Sequence, residues 1–209
     1  MLETERLELR RWRKGNLEEA ATLFRYASDE EIGPLCGWNP HTGVEESRNI
    51  INDVFVGPEN YAIALKSTDE PIGCVELKDI SDEHTTEPVR EAIRANRLLD
   101  GCEMDEGALY ELTAGSAKEL GYWIARPYWG WGFMTEALRE MLRHAFKNLG
   151  APAVWGGHYI DNIASSRVME HCGLKPVCVA SHCHFPIIDE YHDCLIRVIT
   201  RAQWCETLA

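Results

Sequence analysis

The chain opens on an alternation. In "ERLELRRW", Leu7 and Leu9 alternate with charged neighbours, and this period of two predicts a half-buried strand. The period then lengthens. In "LEEAATLFRYA", Leu17, Ala20, Ala21, Leu23, Phe24 and Ala27 recur at helical spacing, and Asn16 stands three residues before Glu19 in the manner of a capping box. Gly33, Pro34, Gly37 and Pro40 predict that "SDEEIGPLCGWNPH" is an irregular loop. Thr42 with Glu45 predicts a second capped helix, "VEESRNIINDVF". "YAIAL" and "PIGCVEL" predict two strands joined at "STDE".

The second half repeats this grammar. "ELGYWIA" reads as a strand, and residues 135–149 give the clearest helix, with Leu138, Met141, Leu142, Ala145, Phe146 and Leu149 on one stripe. Glu136 lies in its first turn and Arg143, His144 and Lys147 lie later, as the helix dipole favours. "APAVWGGHYI" predicts a strand and "NIASSRVMEHC" a short helix stopped by Gly173. "LKPVCVASHCHF" and "EYHDCLIRVIT" predict a closing strand pair. Residues 81–116 fit less well: they hold nine acids and three arginines and are too long for a hairpin turn. They predict an acidic insertion over about 81–118, with helical pieces at 89–99 and near Leu109. With no repeat or linker in view, residues 1–209 read as a single α/β domain.

Composition narrows the partners. The 209 residues are 45% hydrophobic, enough for a sizeable core. Acids outnumber bases 34 to 21, a formal charge of -13 that disfavours nucleic acid and anionic membranes. The same charge either draws cationic partners or simply keeps the protein in solution. No secretory signal opens the chain, no apolar run is long enough to span a bilayer, and the eight cysteines then suggest free thiols in a reducing cytoplasm. Cys178, His182, Cys183, His184, His192 and Cys194 fall on one expected hairpin, but their spacing and the alternation of strand faces argue for ordinary strand residues and no metal. A homodimer contact through the insertion or the last strands stays open.

The densest signal is "YWIARPYWGWGFMTEAL". A strand ends near Ala125, Gly130 and Gly132 occupy the turn, and a helix begins at once. Helix-opening N–H groups lack internal partners and favour anions, while glycine allows φ > 0 and close approach. The stretch therefore fits a phosphate cradle, or else only a tight strand-to-helix turn. It lacks the lysine of a nucleotide P-loop and the third glycine of a dinucleotide fingerprint.

"YWGWGFMTEAL" resembles the pyrophosphate loop of the GNAT superfamily of acyl-CoA-dependent N-acyltransferases. "LETERLELRRW", "ELGYWIARPYWGWGFMTEAL" and "NIASSRVMEHCGLK" occur in the order of its branch that acetylates ribosomal-protein N-termini. The resemblance implies a mixed, mostly antiparallel sheet splayed between two parallel central strands, residues 119–125 and 153–159, with flanking helices. It implies that acetyl-CoA is the acetyl donor. Its pyrophosphate would meet the backbone N–H groups of Trp131, Gly132, Phe133, Met134 and Thr135 beside Gly130. Its pantetheine would pair with Ile124 and Ala125 and meet Asn162. Trp129 and Trp131 would cover the adenine or pantetheine, or pack with one ring exposed. Two positions depart from the family pattern: Pro127 stands where glutamine or arginine is usual, next to Arg126, and Met169 stands where many members carry a tyrosine that returns a proton.

Amide formation from a thioester needs a neutral amine, donors for an oxyanion and a route for the thiolate. Glu119 is the first candidate for the base, or else a sheet-edge carboxylate in a salt bridge; Glu76, Glu111 and the 103–106 cluster follow. The acid is unassigned, with Ser165, water or no acid as alternatives. Trp38 and His41 lie in the loop that borders the acceptor in this superfamily, where His41 either meets the acceptor or is solvated. The expected reaction is acetyl transfer to a primary amine, of a protein N-terminus or a small molecule; a non-catalytic acyl-CoA sensor is the alternative.

Overall fold

The structure, a computed structural model, describes residues 1–79, 87, 90–92, 94, 95, 97–100, 102 and 117–206. The strands are β1 (Leu2–Glu3), β2 (Leu7–Arg10), β3 (Asn60–Leu65), β4 (Pro71–Asp79), β5 (Lys118–Ile124), β6 (Ala153–Tyr159), β7 (Lys175–Phe185) and β8 (Glu190–Thr200). The helices are α1 (Leu17–Ala27), α2 (Ile32–Leu35), α3 (Val44–Asn49), α4 (Phe133–Lys147), α5 (Ile163–His171) and α6 (Arg201–Glu206). The strands form one eight-stranded sheet in the order β1-β2-β3-β4-β5-β6-β8-β7, mostly antiparallel, with β5 and β6 parallel. This is the mixed architecture that the family resemblance implied. By contact the chain falls into two compact units, Met1–Leu77 with Gly121–Met141, and Lys78–Leu120 with Leu142–Ala209.

In the first unit β2 pairs antiparallel with β3, Leu7 opposite Leu65 and Leu9 opposite Ile63, and β3 with β4, Ile63 opposite Gly73. Leu7 and Leu9 are fully buried, as their alternation predicted, and so are Ile63 and Ile72 of β3 and β4, strands that are buried at nearly every position. Trp12, Ala20, Leu23, Ala27, Ile51 and Trp123 build the core beside them. α1 begins and ends where the periodicity put it, although Leu17, expected on its apolar stripe, is exposed. Asn16 caps α1 by accepting from the Glu19 N–H at 2.9 Å, but Glu19 does not complete the box. Its carboxylate is buried against Arg10 at 3.0 Å, because a buried guanidinium needs a counter-charge more than the cap needs a second bond.

Three local expectations are corrected. The loop over 28–41 contains the short helix α2, since Pro34 falls in its first turn, where a missing N–H costs nothing. The second capping box is not formed: the Thr42 N–H and hydroxyl both donate to Glu46, not Glu45, and Gly43 takes the cap position. The helix after it widens into a π-turn over Ile50–Val54 rather than running on regularly.

Gly73 fixes how closely β4 and β5 approach. A Cβ there would lie 2.4 Å from the Trp123 carbonyl oxygen and 3.0 Å from the Ile124 Cα, both backbone atoms. We expect Gly73→Ala to force the strands apart and cost about 3 kcal/mol, roughly a 10 °C fall in melting midpoint. A midpoint within about 2 °C of wild type by calorimetry would contradict the packing described.

In the second unit, Lys118 and Glu119 of β5 pair parallel with Val154 and Trp155 of β6. β6 pairs antiparallel with β8 along its whole length. β7 pairs with β8 through two irregularities, one at Ala180/Cys183, where His182 has φ 59° and its N–H donates to Asp193 Oδ1 at 2.8 Å. Within the insertion, Arg90–Ala92 and Arg94 are helical, but Leu98 bridges Cys178 of β7 where a helix had been expected. Glu111, residues 103–106 and the expected piece near Leu109 lie outside the described residues.

The hairpin residues are occupied by packing. Cys178 and Cys194 lie in the core, His192 stacks on Tyr159 at 4.0 Å, and His182 and His184 flank Tyr191 at 4.3 and 4.5 Å. Among the described residues no group of three or more His, Cys, Asp or Glu is placed to hold a metal, and no helix is long and apolar enough to cross a membrane.

His158 is buried in this unit. Its Nδ1–H donates to the Tyr159 carbonyl at 2.8 Å, and its Nε2 accepts from Arg197 Nε at 3.4 Å. Only the neutral ring can do both. Burial holds its pKa below 6.5, opposed by the Tyr159 bond and reinforced by the Arg197 charge. The unfolded chain therefore binds a proton that the folded chain refuses, so stability is full above pH 6.5 and falls as pH drops below it. A melting midpoint that stays flat between about pH 7.5 and about pH 5.5, or rises on acidification, would contradict this.

Candidate functional site

The turn between β5 and α4 is built within the first unit. After Ile124 the chain makes a 3-10 turn, Arg126–Tyr128, with Pro127 at its start. Gly130 and Gly132 both have φ 78°, a left-handed conformation that other residues adopt only under strain. The first ladder bond of α4 runs from the Glu136 N–H to the Gly132 carbonyl at 3.0 Å, so the N–H groups of Trp131, Gly132, Phe133 and Met134 precede the ladder. The Phe133 and Met134 side chains are buried, which leaves their backbones as the groups offered at the helix mouth. Thr135 is half-buried in the same first turn.

Arg6 holds this turn, and nothing in the sequence reading marked it beyond its place in a strand-like run. Its Nη1 donates to the Trp131 carbonyl at 3.0 Å, its Nη2 lies 2.7 Å from Glu136, and its guanidinium sits 4.3 Å over the Phe133 ring. Glu136, expected only to complement the helix dipole, also accepts from Thr4 Oγ1 and the Arg6 N–H. Burial raises its pKa, but these bonds outweigh burial and hold it below 4.5. Arg126, adjacent to the position usually glutamine or arginine, is turned to Asp29 at 2.8 Å and Glu31 at 2.7 Å.

The tryptophans divide. Trp131 is 65% exposed and stacks parallel on Phe133, with centroids 6.4 Å apart. Trp129 is partly exposed, and its indole Nε1–H donates to the Ile124 carbonyl at 2.8 Å. The Ala125 N–H donates to the Ile72 carbonyl of β4, also at 2.8 Å.

Trp38 and His41 also come together in this unit, their rings 5.3 Å apart, with Trp38 edge-on to Trp123 at 6.1 Å. His41 is half-buried rather than solvated. Its Nδ1 bonds the hydroxyl of buried Ser47 at 2.8 Å, and burial, opposed by the charge of Glu46, lowers its pKa. Glu76 receives the Asn60 amide at 2.8 Å and lies over Gly121, where a Cβ would be 2.9 Å from its Oε1.

In the second unit Glu119 is half-buried on β5, opposite Trp155. Asn162 caps α5, its Oδ1 accepting from the Ser165 N–H at 3.0 Å, so its NH2 remains the end that carries donors. Met169 is buried against Gly156, where a Cβ would meet its terminal methyl at 3.0 Å. That position is part of the core and supplies no proton.

This arrangement has known counterparts. The family model described as "Acetyltransferase (GNAT) domain" matches residues 6–175. An uncharacterized N-acetyltransferase, p20 of Bacillus licheniformis, is 31% identical over 179 residues, 83% of this chain and 82% of that one. A GNAT-family acetyltransferase from Bacillus anthracis superposes with a TM-score of 0.70 at 19% identity, over 96% of this chain and 98% of that one. Spermidine N-acetyltransferase from Vibrio cholerae, solved with CoA and spermine, gives 0.64 at 17% identity over 96% and 98%. The glycine turn into α4, the parallel β5–β6 pair and the matched family thus agree: the chain belongs to the GNAT acetyltransferase family and is an acetyl-CoA-dependent acyltransferase.

Proposed function

We propose that the chain transfers the acetyl group of acetyl-CoA directly to the primary amine of a cationic acceptor, a protein N-terminus or a small polyamine-like molecule, in the cytoplasm. The supporting observation is the turn at Gly130 and Gly132, whose two left-handed glycines lead into the open N–H end of α4. The pyrophosphate binds the backbone N–H groups from Trp131 through Thr135. Arg6 holds the turn in shape through the Trp131 carbonyl. The pantetheine pairs along the edge of β5 at Ile124 and Ala125. Trp131, the more exposed ring, covers the nucleotide.

The same reading assigns Glu119 as the base that takes the amine proton, directly or through water. The neutral nitrogen attacks the thioester carbon and the C–N bond forms. As the intermediate collapses the C–S bond breaks, and the second proton that the nitrogen sheds passes to the departing thiolate through water or Ser165, or is lost to water while the thiolate leaves as the anion. Asn162 presents its NH2 to a carbonyl of the pantetheine arm. Trp38 and His41 face the acceptor, and His41, held neutral by burial, adds no positive charge to repel an ammonium. The net charge of -13 favours a cationic acceptor. The V. cholerae relative solved with spermine is consistent with that class.

Mass spectrometry of polyamines, an aminoglycoside and peptides with free N-termini, each incubated with acetyl-CoA and protein, tests this. A gain of one acetyl group on a cationic amine is expected. Acetyl-CoA bound with no transfer to any of them would contradict the proposed acceptor class.

A further inference from the structure

The edge of β5 that the cofactor arm would use already carries a bond. In a trans peptide the carbonyl of one residue and the N–H of the next point opposite ways, and the chain has no cis peptide bonds. The Ala125 N–H points to Ile72 of β4, so the Ile124 carbonyl points away from β4. That outward carbonyl accepts the indole N–H of Trp129 at 2.8 Å. A strand-edge carbonyl seeks a donor wherever water is restricted. Here the donor comes from the phosphate turn itself, one residue before the left-handed Gly130.

We infer that Trp129 is a positioning residue whose indole N–H stands in for an amide N–H of the pantetheine arm, and gives up the Ile124 carbonyl when acetyl-CoA binds. This deepens the proposed cofactor reading and rests on it. The indole competes with the arm for one acceptor and keeps the strand edge and the turn in register until the arm arrives. Its release swings a partly exposed ring at the end of the phosphate turn, so that filling of the arm site is transmitted to Gly130 and the helix mouth.

The test is the indole N–H resonance of Trp129 in nitrogen-15-labelled full-length protein, assigned through its contact with Ile124. Saturation with acetyl-CoA is expected to move it toward the position of a water-exposed indole. Adenosine 3′-phosphate 5′-diphosphate, which keeps the pyrophosphate and lacks the arm, is expected to shift the loop amides and leave the indole in place. Trp129→Phe, which keeps a ring and loses the N–H, is expected to bind acetyl-CoA about fivefold more tightly, on the scale of one net hydrogen bond. An indole resonance that stays put while the amides of Gly130–Met134 shift would overturn the inference, and so would weaker binding by Trp129→Phe with an unmoved resonance. No shift in any loop amide would instead overturn the cofactor reading on which it rests.

Discussion

Replacing Gly130 and Gly132 together by aspartate is expected to weaken acetyl-CoA binding at least a hundredfold while the protein still folds. The two effects separate for physical reasons. Each glycine has φ 78°, so any side chain there costs about 1 kcal/mol in backbone strain, and aspartate tolerates the left-handed region better than most residues. A Cβ at Gly130 meets nothing within 4 Å, and one at Gly132 meets only Arg6 Nη2 at 3.7 Å, a guanidinium that welcomes a carboxylate. Negative charge at a helix N-terminus also stabilises the helix by roughly 0.3–1 kcal/mol. The ligand sees the reverse. Two carboxylates beside a pyrophosphate each cost on the order of 1–4 kcal/mol, depending on how far water is excluded. Intrinsic tryptophan fluorescence would follow the titration, since Trp129 and Trp131 bracket Gly130, and calorimetric melting would follow the fold. Binding retained within threefold of wild type would remove the turn from the cofactor site.

The second large effect is expected from Glu119→Gln. If Glu119 takes the amine proton, the amide removes the base and keeps the shape, and kcat is expected to fall about a hundredfold or more. Acetyl-CoA affinity is expected to stay within twofold, because the turn at Gly130 and Gly132 is untouched. The pH profile carries the sharper distinction. Wild-type kcat/KM is expected to fall on the acid side as the base protonates, and in Glu119→Gln that limb is expected to vanish. A variant with less than a threefold loss in kcat and the acid limb intact would move the role to another carboxylate. Glu76, held by Asn60 over Gly121, would then be tested first.

Much of this was legible in the sequence wherever one local signal decided the outcome. α1 begins and ends at the residues its periodicity marked, and the long strands fall within about two residues of their expected ends, because each local period reads directly as a helix or a strand. The glycine turn was legible because positive φ leaves few residue choices. What stayed hidden depended on partners far away in sequence. Glu19 looked like half of a capping box, yet it serves Arg10. Glu136 looked like a dipole residue, yet it is the anchor for Arg6, 130 positions away. Gly73 offered a fair clue, since an isolated glycine inside a strand often marks close backbone approach. Trp129 was marked only as a ring that would cover the cofactor or pack: its bond to Ile124 was not legible, since it exists because the 3-10 turn folds the indole back on the strand.

The most direct measurement is calorimetric titration of acetyl-CoA into the full-length protein, with ATP and NAD run beside it. Acetyl-CoA is expected to bind one equivalent at micromolar or better affinity, and ATP and NAD at least a hundredfold more weakly, because only acetyl-CoA brings both a pyrophosphate for the helix mouth and an arm for the β5 edge. No heat from acetyl-CoA, or equal binding of all three, would mean that Gly130 and Gly132 serve only a tight turn, and would contradict the assignment of the cofactor to it.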